Sequence, residues 1–152
     1  MRSILAQIIQ LYPNKTVTVS MESGDTACGR PGELIPETNP GLFVLTDETG
    51  TPQEAVSICH IAAVRVADAT YSNAITYLPT PTPAPEGCGA DCEAAVRAYL
   101  PTCTKCVEIR SGNQTVGQGK VKKNKFGILV LVHPKNCNPT FVATNKAEIL
   151  IK

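Results

Sequence analysis

Two short helical stretches and two series of period-two stretches follow one another along this chain. Residues 4–13 and 92–101 place apolar side chains at helical spacing. Each ends in an aromatic–leucine pair and a proline, Leu11-Tyr12-Pro13 and Tyr99-Leu100-Pro101, which predicts a helix of two to three turns closed by Pro. After each helix comes a strand pattern, with Val17, Val19 and Met21 alternating with polar residues in the first case and Val107 and Ile109 in the second. Glycine turns follow at Ser23-Gly24-Asp25 and Ser111-Gly112-Asn113. A weaker strand comes next, then continuous apolar runs at 41–45 and 126–132, and then a final pair of short strands. The alternation predicts a core of Val17, Val19, Leu42, Val44, Ile58 and Val64, with Val107, Ile109, Ile128, Val130, Ile149 and Ile151 as counterparts.

The order of these landmarks is the same twice, which points to an internal duplication. Residues 4–13 fall on 92–101, and 19–24 on 107–112, at an offset of 88; residues 41–45 fall on 127–131 at 86; residues 57–66 fall on 142–151 at 85. Small loop deletions account for the drift. The expected organisation is a first helix-plus-strands module at 1–77, a Pro-rich spacer at 78–91 and a second module at 92–152. The alternating prolines of the spacer favour an extended, semi-rigid chain.

A short helix and five strands in each copy resemble the Sm-like small barrel. Ser23-Gly24-Asp25 and Ser111-Gly112-Asn113 stand where that family turns between its first two strands. The resemblance implies a mainly β protein of two tandem five-stranded Sm-like barrels, each preceded by a short N-terminal helix. It also implies edge-to-edge joining through the last two strands. Asn39-Pro40-Gly41 and Asn124-Lys125-Phe126-Gly127 stand where the family carries its signature Asp and Asn, so its RNA pocket is not carried over. The stretches 58–65 and 91–101 are also similar to small spore-surface proteins of spore-forming Gram-positive bacteria.

Composition narrows the function classes. The net charge of +1 gives no global field toward nucleic acid or anionic lipid, and the longest apolar run is far short of a bilayer span. Gln7 and Gln10 interrupt the first apolar segment, so it does not read as a secretory signal.

Seven cysteines change the picture more. Cys88, Cys92, Cys103 and Cys106 form two close pairs. They could hold a tetrahedral zinc, clamp the spacer by disulfides or cross-link subunits. The first copy has Lys15 and Thr18 where Cys103 and Cys106 stand, so the cluster is additional to the repeat. Cys28 and Cys137 read as loop thiols that could reach another chain, whereas Cys59, in an apolar strand, reads as a buried thiol. The run Lys120, Lys122, Lys123 and Lys125 is a possible basic contact patch or a solvated hairpin tip. His60 and His133 read as surface or turn residues. Cys59 and His60 are adjacent in a strand pattern and so cannot act as a nucleophile–base pair. No nucleophile elbow, phosphate loop or metalloprotease motif is present, and no cofactor other than zinc suggests itself.

The expectation is therefore a structural, non-enzymatic protein that assembles with copies of itself. Rings, fibres or a coat layer would form by β-edge contacts and be locked by disulfides at a bacterial spore surface or on an extracellular fibre, or else remain in the cytoplasm. A membrane partner is not expected. The alternative is an Sm-like oligomer that binds RNA or DNA.

Overall fold

The computed structural model describes residues 1–152. Helix α1 (Arg2–Leu11) buries Ile4, Leu5 and Ile8 along one stripe. Tyr12 follows the helix into the core, where its hydroxyl donates to the Thr70 carbonyl and accepts from the Ser72 N–H. Five strands come next: β1 (Val17–Met21), β2 (Thr26–Ile35), β3 (Leu42–Thr46), β4 (Pro52–Ser57) and, after a 3-10 turn at Ile58–His60, β5 (Ile61–Val66). Tyr71 and Ile75 then return to the core, and residues 78–89 are exposed. The second half repeats the sequence of elements. Helix α2 (Cys88–Tyr99) precedes β6 (Val107–Ser111), β7 (Gln114–Lys125), β8 (Ile128–His133), β9 (Cys137–Ala143) and β10 (Ile149–Ile151), with a 3-10 turn at Thr144–Lys146 before β10. Helix α2 starts at Cys88, one turn earlier than the sequence pattern predicts, inside the expected spacer.

All ten strands form one antiparallel sheet in the order β10-β6-β7-β8-β9-β5-β1-β2-β3-β4. The first half runs β5-β1-β2-β3-β4 and the second β10-β6-β7-β8-β9, which is the same order. The two matching 3-10 turns, Ile58–His60 and Thr144–Lys146, lie 86 residues apart, not 85. That slip of one residue flips the phase of the last strand. Ile149 and Ile151 therefore occupy the places of Ala63 and Arg65, and they are exposed, not in the expected core. Leu42, at the start of β3, is exposed as well; the other nine predicted core residues are buried.

The halves are joined by strand pairing, not by the spacer alone. β5 pairs with β9 through Ala63↔Val142, Val64↔Phe141 and Arg65↔Thr140. The cores cross this junction: Phe141, Ile128, Val130 and Val132 pack with the first half's core, and Ala62 and Ala63 with the second's. β8 is consequently buried on both faces, which explains its continuous apolar run. Each large side chain so buried contributes roughly 1.5–3 kcal/mol. The hairpin turns β1–β2 and β6–β7 also meet. A Cβ at Gly112, which has φ +61°, would lie 2.4 Å from the Glu22 carbonyl oxygen, so only glycine fits there.

Candidate functional site

Two sheet edges are unpaired: β4 at one end and β10 at the other. Antiparallel pairing turns alternate residues toward the neighbour. The Ile58 N–H donates to the Gly41 carbonyl, so the alternation leaves Ala55 and Ser57 with their N–H and C=O groups pointing out of the sheet. In β5 the Ala67 N–H donates to Thr16, which leaves Val64 and Val66 facing β9. The counterpart of Val64 is Leu150, so β10 presents an equivalent open ladder.

The internal junction shows what such edges can do. Thr140, Phe141 and Val142 of β9 correspond to Glu54, Ala55 and Val56 of β4; Ala63, Val64 and Arg65 of β5 correspond to Ile149, Leu150 and Ile151 of β10. Bulk is distributed oppositely in the two sets. Inside the chain the large Phe141 of β9 stands opposite Val64, and on the other face of the sheet Val142 of β9 stands opposite the small Ala63. At the open edges β4 offers only Ala55, while β10 carries Ile149, 53% exposed, and Ile151, 41% exposed.

All seven thiols are free and reach the surface: six are exposed and Cys137 is half-buried. Cys59 is thus not the buried thiol that its apolar surroundings suggest. It lies in a 3-10 turn that turns Ile58 inward and Cys59 and His60 outward, as the matching turn buries Thr144 and exposes Asn145. Cys59 lines an open depression of about 450 Å³ between the halves, together with Met1, Phe126 and Lys146. Cys28 and Cys137 lie on strands β2 and β9, not in loops, and the Cys28 thiol meets the Thr18 hydroxyl across the β1–β2 ladder at 3.7 Å. Cys88 and Cys92 are one helical turn apart on α2, and the neighbouring Cys88 thiol, with the Asp91 charge beside it, raises the Cys92 pKa. Cys103 and Cys106 lie in the loop before β6, both at positive φ. No three cysteine, histidine and acidic side chains converge as metal ligands in this structure.

Glu93 is the most deeply placed charge, and the sequence pattern does not single it out. It stands where the first copy has Leu5, on the inward face of its helix. Its carboxylate accepts from the Arg97 guanidinium at 2.8 and 3.0 Å, the Gly127 N–H at 2.8 Å and the Thr144 hydroxyl at 2.7 Å. Burial alone would raise its pKa; these donors outweigh that and hold it below the usual glutamate range. Glu22 is held low by Lys146 and His60, and its contact with Lys146 is an ion pair between the halves.

Lys120, Lys122, Lys123 and Lys125 lie along β7, and the hairpin tip is Phe126-Gly127. A bulge between Val121 and Lys123 interrupts their alternation, and the Lys122 ammonium sits 5.8 Å from the Tyr71 ring centre. They belong to a wider asymmetry that the total of +1 conceals. Residues 1–87 hold four of the fourteen Lys and Arg and nine of the thirteen Asp and Glu, a formal charge of −5; residues 88–152 hold the rest, a charge of +6. Counting charge by half, not over the whole chain, would have revealed it. No helix is long and apolar enough to cross a membrane. Set against known proteins, the chain matches no family model, no curated protein and no solved structure, and its role is read from its own edges, thiols and charges.

Proposed function

We propose that this chain is a structural protein that assembles with copies of itself, each half being a five-stranded Sm-like barrel and the chain a ready-made pair of them. The observation that carries the reading is the β5–β9 junction. It joins two halves of identical strand order and leaves the corresponding edges, β4 and β10, open at the ends. A second copy placed on β4 with its β10 repeats the internal geometry, with Val56 opposite Ile149, Ala55 opposite Leu150 and Glu54 opposite Ile151. Pairing of this kind satisfies the exposed backbone groups and covers Ile149 and Ile151. Because the two edges differ, the contact is head-to-tail. It closes into a ring or runs on as a fibre or layer, according to the rotation per copy. Sedimentation velocity of reduced protein at micromolar concentration, with negative-stain microscopy, tests it: rings or fibres are expected, and a monomer would overturn the reading.

Surface thiols suit covalent locking of such an assembly, as on a spore coat or an extracellular fibre exposed to oxidants. Seven is odd, so complete pairing within one chain is impossible. Cys28 and Cys137 are the choice for bonds between chains, and Cys88 with Cys92 and Cys103 with Cys106 for local closure or, with a metal supplied, zinc. Oxidised assemblies should give a ladder on non-reducing gels after boiling in detergent, collapsing to one band with a thiol reductant. The variant Cys28→Ser/Cys137→Ser should lose most of the ladder. A single monomer band from oxidised wild type would remove the covalent part of the proposal.

A further inference from the structure

The charge difference between the halves follows the same axis as the open edges. β4 belongs to the half of charge −5, and β10 to the half of charge +6. Around β4 stand Glu54 on the strand itself and Asp47 and Glu48 in the turn that leads into it. Asp47 accepts from Thr49 and Thr51, which holds its carboxyl below the usual range; Arg30 approaches this turn, but its guanidinium donates to the Glu48 carbonyl, leaving the Glu48 carboxylate free of it. Around β10 stand Arg110, directly opposite Ile149 on β6, and Lys152, whose ammonium lies against the Tyr99 ring and carbonyl. Glu108 pairs with Arg110 and accepts from Thr115, and Glu148 accepts from the Gly112 N–H and the Ser111 hydroxyl, so the charges right at β10 balance and the positive excess is that of the half behind it, with Lys120, Lys122, Lys123 and Lys125 along β7.

We infer that the opposite charges of the two halves set the direction of assembly, steering the acidic half that carries β4 in one copy onto the basic half that carries β10 in the next and keeping like halves apart. The inference rests on the self-assembly reading and adds to it a polarity and a dependence on salt. Two β4 ends, or two β10 ends, would each bring like charge together, which is disfavoured, whereas the head-to-tail encounter is attractive over a range of about 10 Å at 0.1 M salt. The partner selected in this way is a second copy of this chain, because the internal junction already shows the strand geometry that the encounter would complete.

Charge-swapped variants test the inference. Chain one carries Glu48→Lys and Glu54→Lys; chain two carries Arg110→Glu and Lys152→Glu. All four positions lie outside the core, and circular dichroism confirms that each variant folds. Wild type should associate at least tenfold faster at 50 mM than at 500 mM salt. Each variant alone has two ends of one sign and should remain largely monomeric at a concentration where wild type assembles. An equimolar mixture should recover assembly with the two chains alternating. Rescue on mixing cannot come from damage to the fold, so it would establish the polarity. Assembly of wild type and both variants alike, at either salt concentration, would overturn the polarity and leave self-assembly standing. Absence of assembly in wild type would overturn the self-assembly reading itself. Tight, salt-sensitive binding of a single-stranded oligonucleotide by wild type, with mixtures that stay monomeric, would assign the basic half to a polyanion and overturn the inference.

Discussion

Replacing Ala55 by proline is expected to convert the assembly into short species by weakening the contact about 100-fold or more. The Ala55 N–H points out of the sheet, so the substitution leaves the β3–β4 ladder intact and deletes a donor that only a partner strand would use. Proline is at home on an edge strand for this reason, and the monomer should unfold at nearly the wild-type denaturant midpoint. The cost at the new interface is about 3 kcal/mol, because the ring removes the donor and leaves the partner strand's carbonyl buried without one, and every 1.4 kcal/mol is tenfold in affinity. Sedimentation equilibrium on the variant and wild type reads the difference. An unchanged association constant would place the contact elsewhere than β4.

The second large effect concerns stability. Glu93→Ala should destabilise the chain by about 3–5 kcal/mol, because it leaves the Arg97 guanidinium, the Gly127 N–H and the Thr144 hydroxyl facing a cavity without their acceptor. For a chain of this size that corresponds to a fall of about 10 °C in Tm. The sign of the pH dependence follows from the depressed carboxyl. A folded-state pKa below the unfolded one contributes stability above the usual glutamate range, and that contribution is lost as pH falls through the folded value. Wild type should therefore lose stability on acidification more steeply than Glu93→Gln. Urea titrations between neutral and acid pH check both points; a Glu93→Ala midpoint equal to wild type would contradict the role assigned to this network.

Much of this fold is legible in the sequence because alternation and turn chemistry are local signals. Val17 and Val19, Val107 and Ile109, and the two helices ending at Pro13 and Pro101 fall where period and punctuation place them. What escapes is whatever depends on a neighbour far along the chain. Ile149 and Ile151 have the composition of core residues, yet a one-residue phase slip turns them outward on a strand with nothing beside it. Cys59 sits among apolar residues, but a 3-10 turn, which alternation does not signal, rotates it into solvent. The β5–β9 pairing joins residues nearly eighty positions apart, so the sequence suggests a spacer-held pair of modules where the molecule has a single sheet. Glu93 looks like an ordinary polar position in an amphipathic helix until Thr144 and Gly127 are brought to it.

The central claim is that β4 of one copy pairs with β10 of another, and mixing two edge-blocked chains tests it most directly. Ala55→Pro closes β4 and leaves β10 open; Ile149→Asp places a charge where Val56 of a partner would cover it and leaves β4 open. Each chain alone should sediment as a monomer, because neither can supply both edges of one contact. An equimolar mixture should form a one-to-one heterodimer and nothing larger, since the dimer's two outer edges are both blocked. Dimers formed by either chain alone, or a mixture that grows beyond two copies, would contradict head-to-tail pairing of β4 with β10.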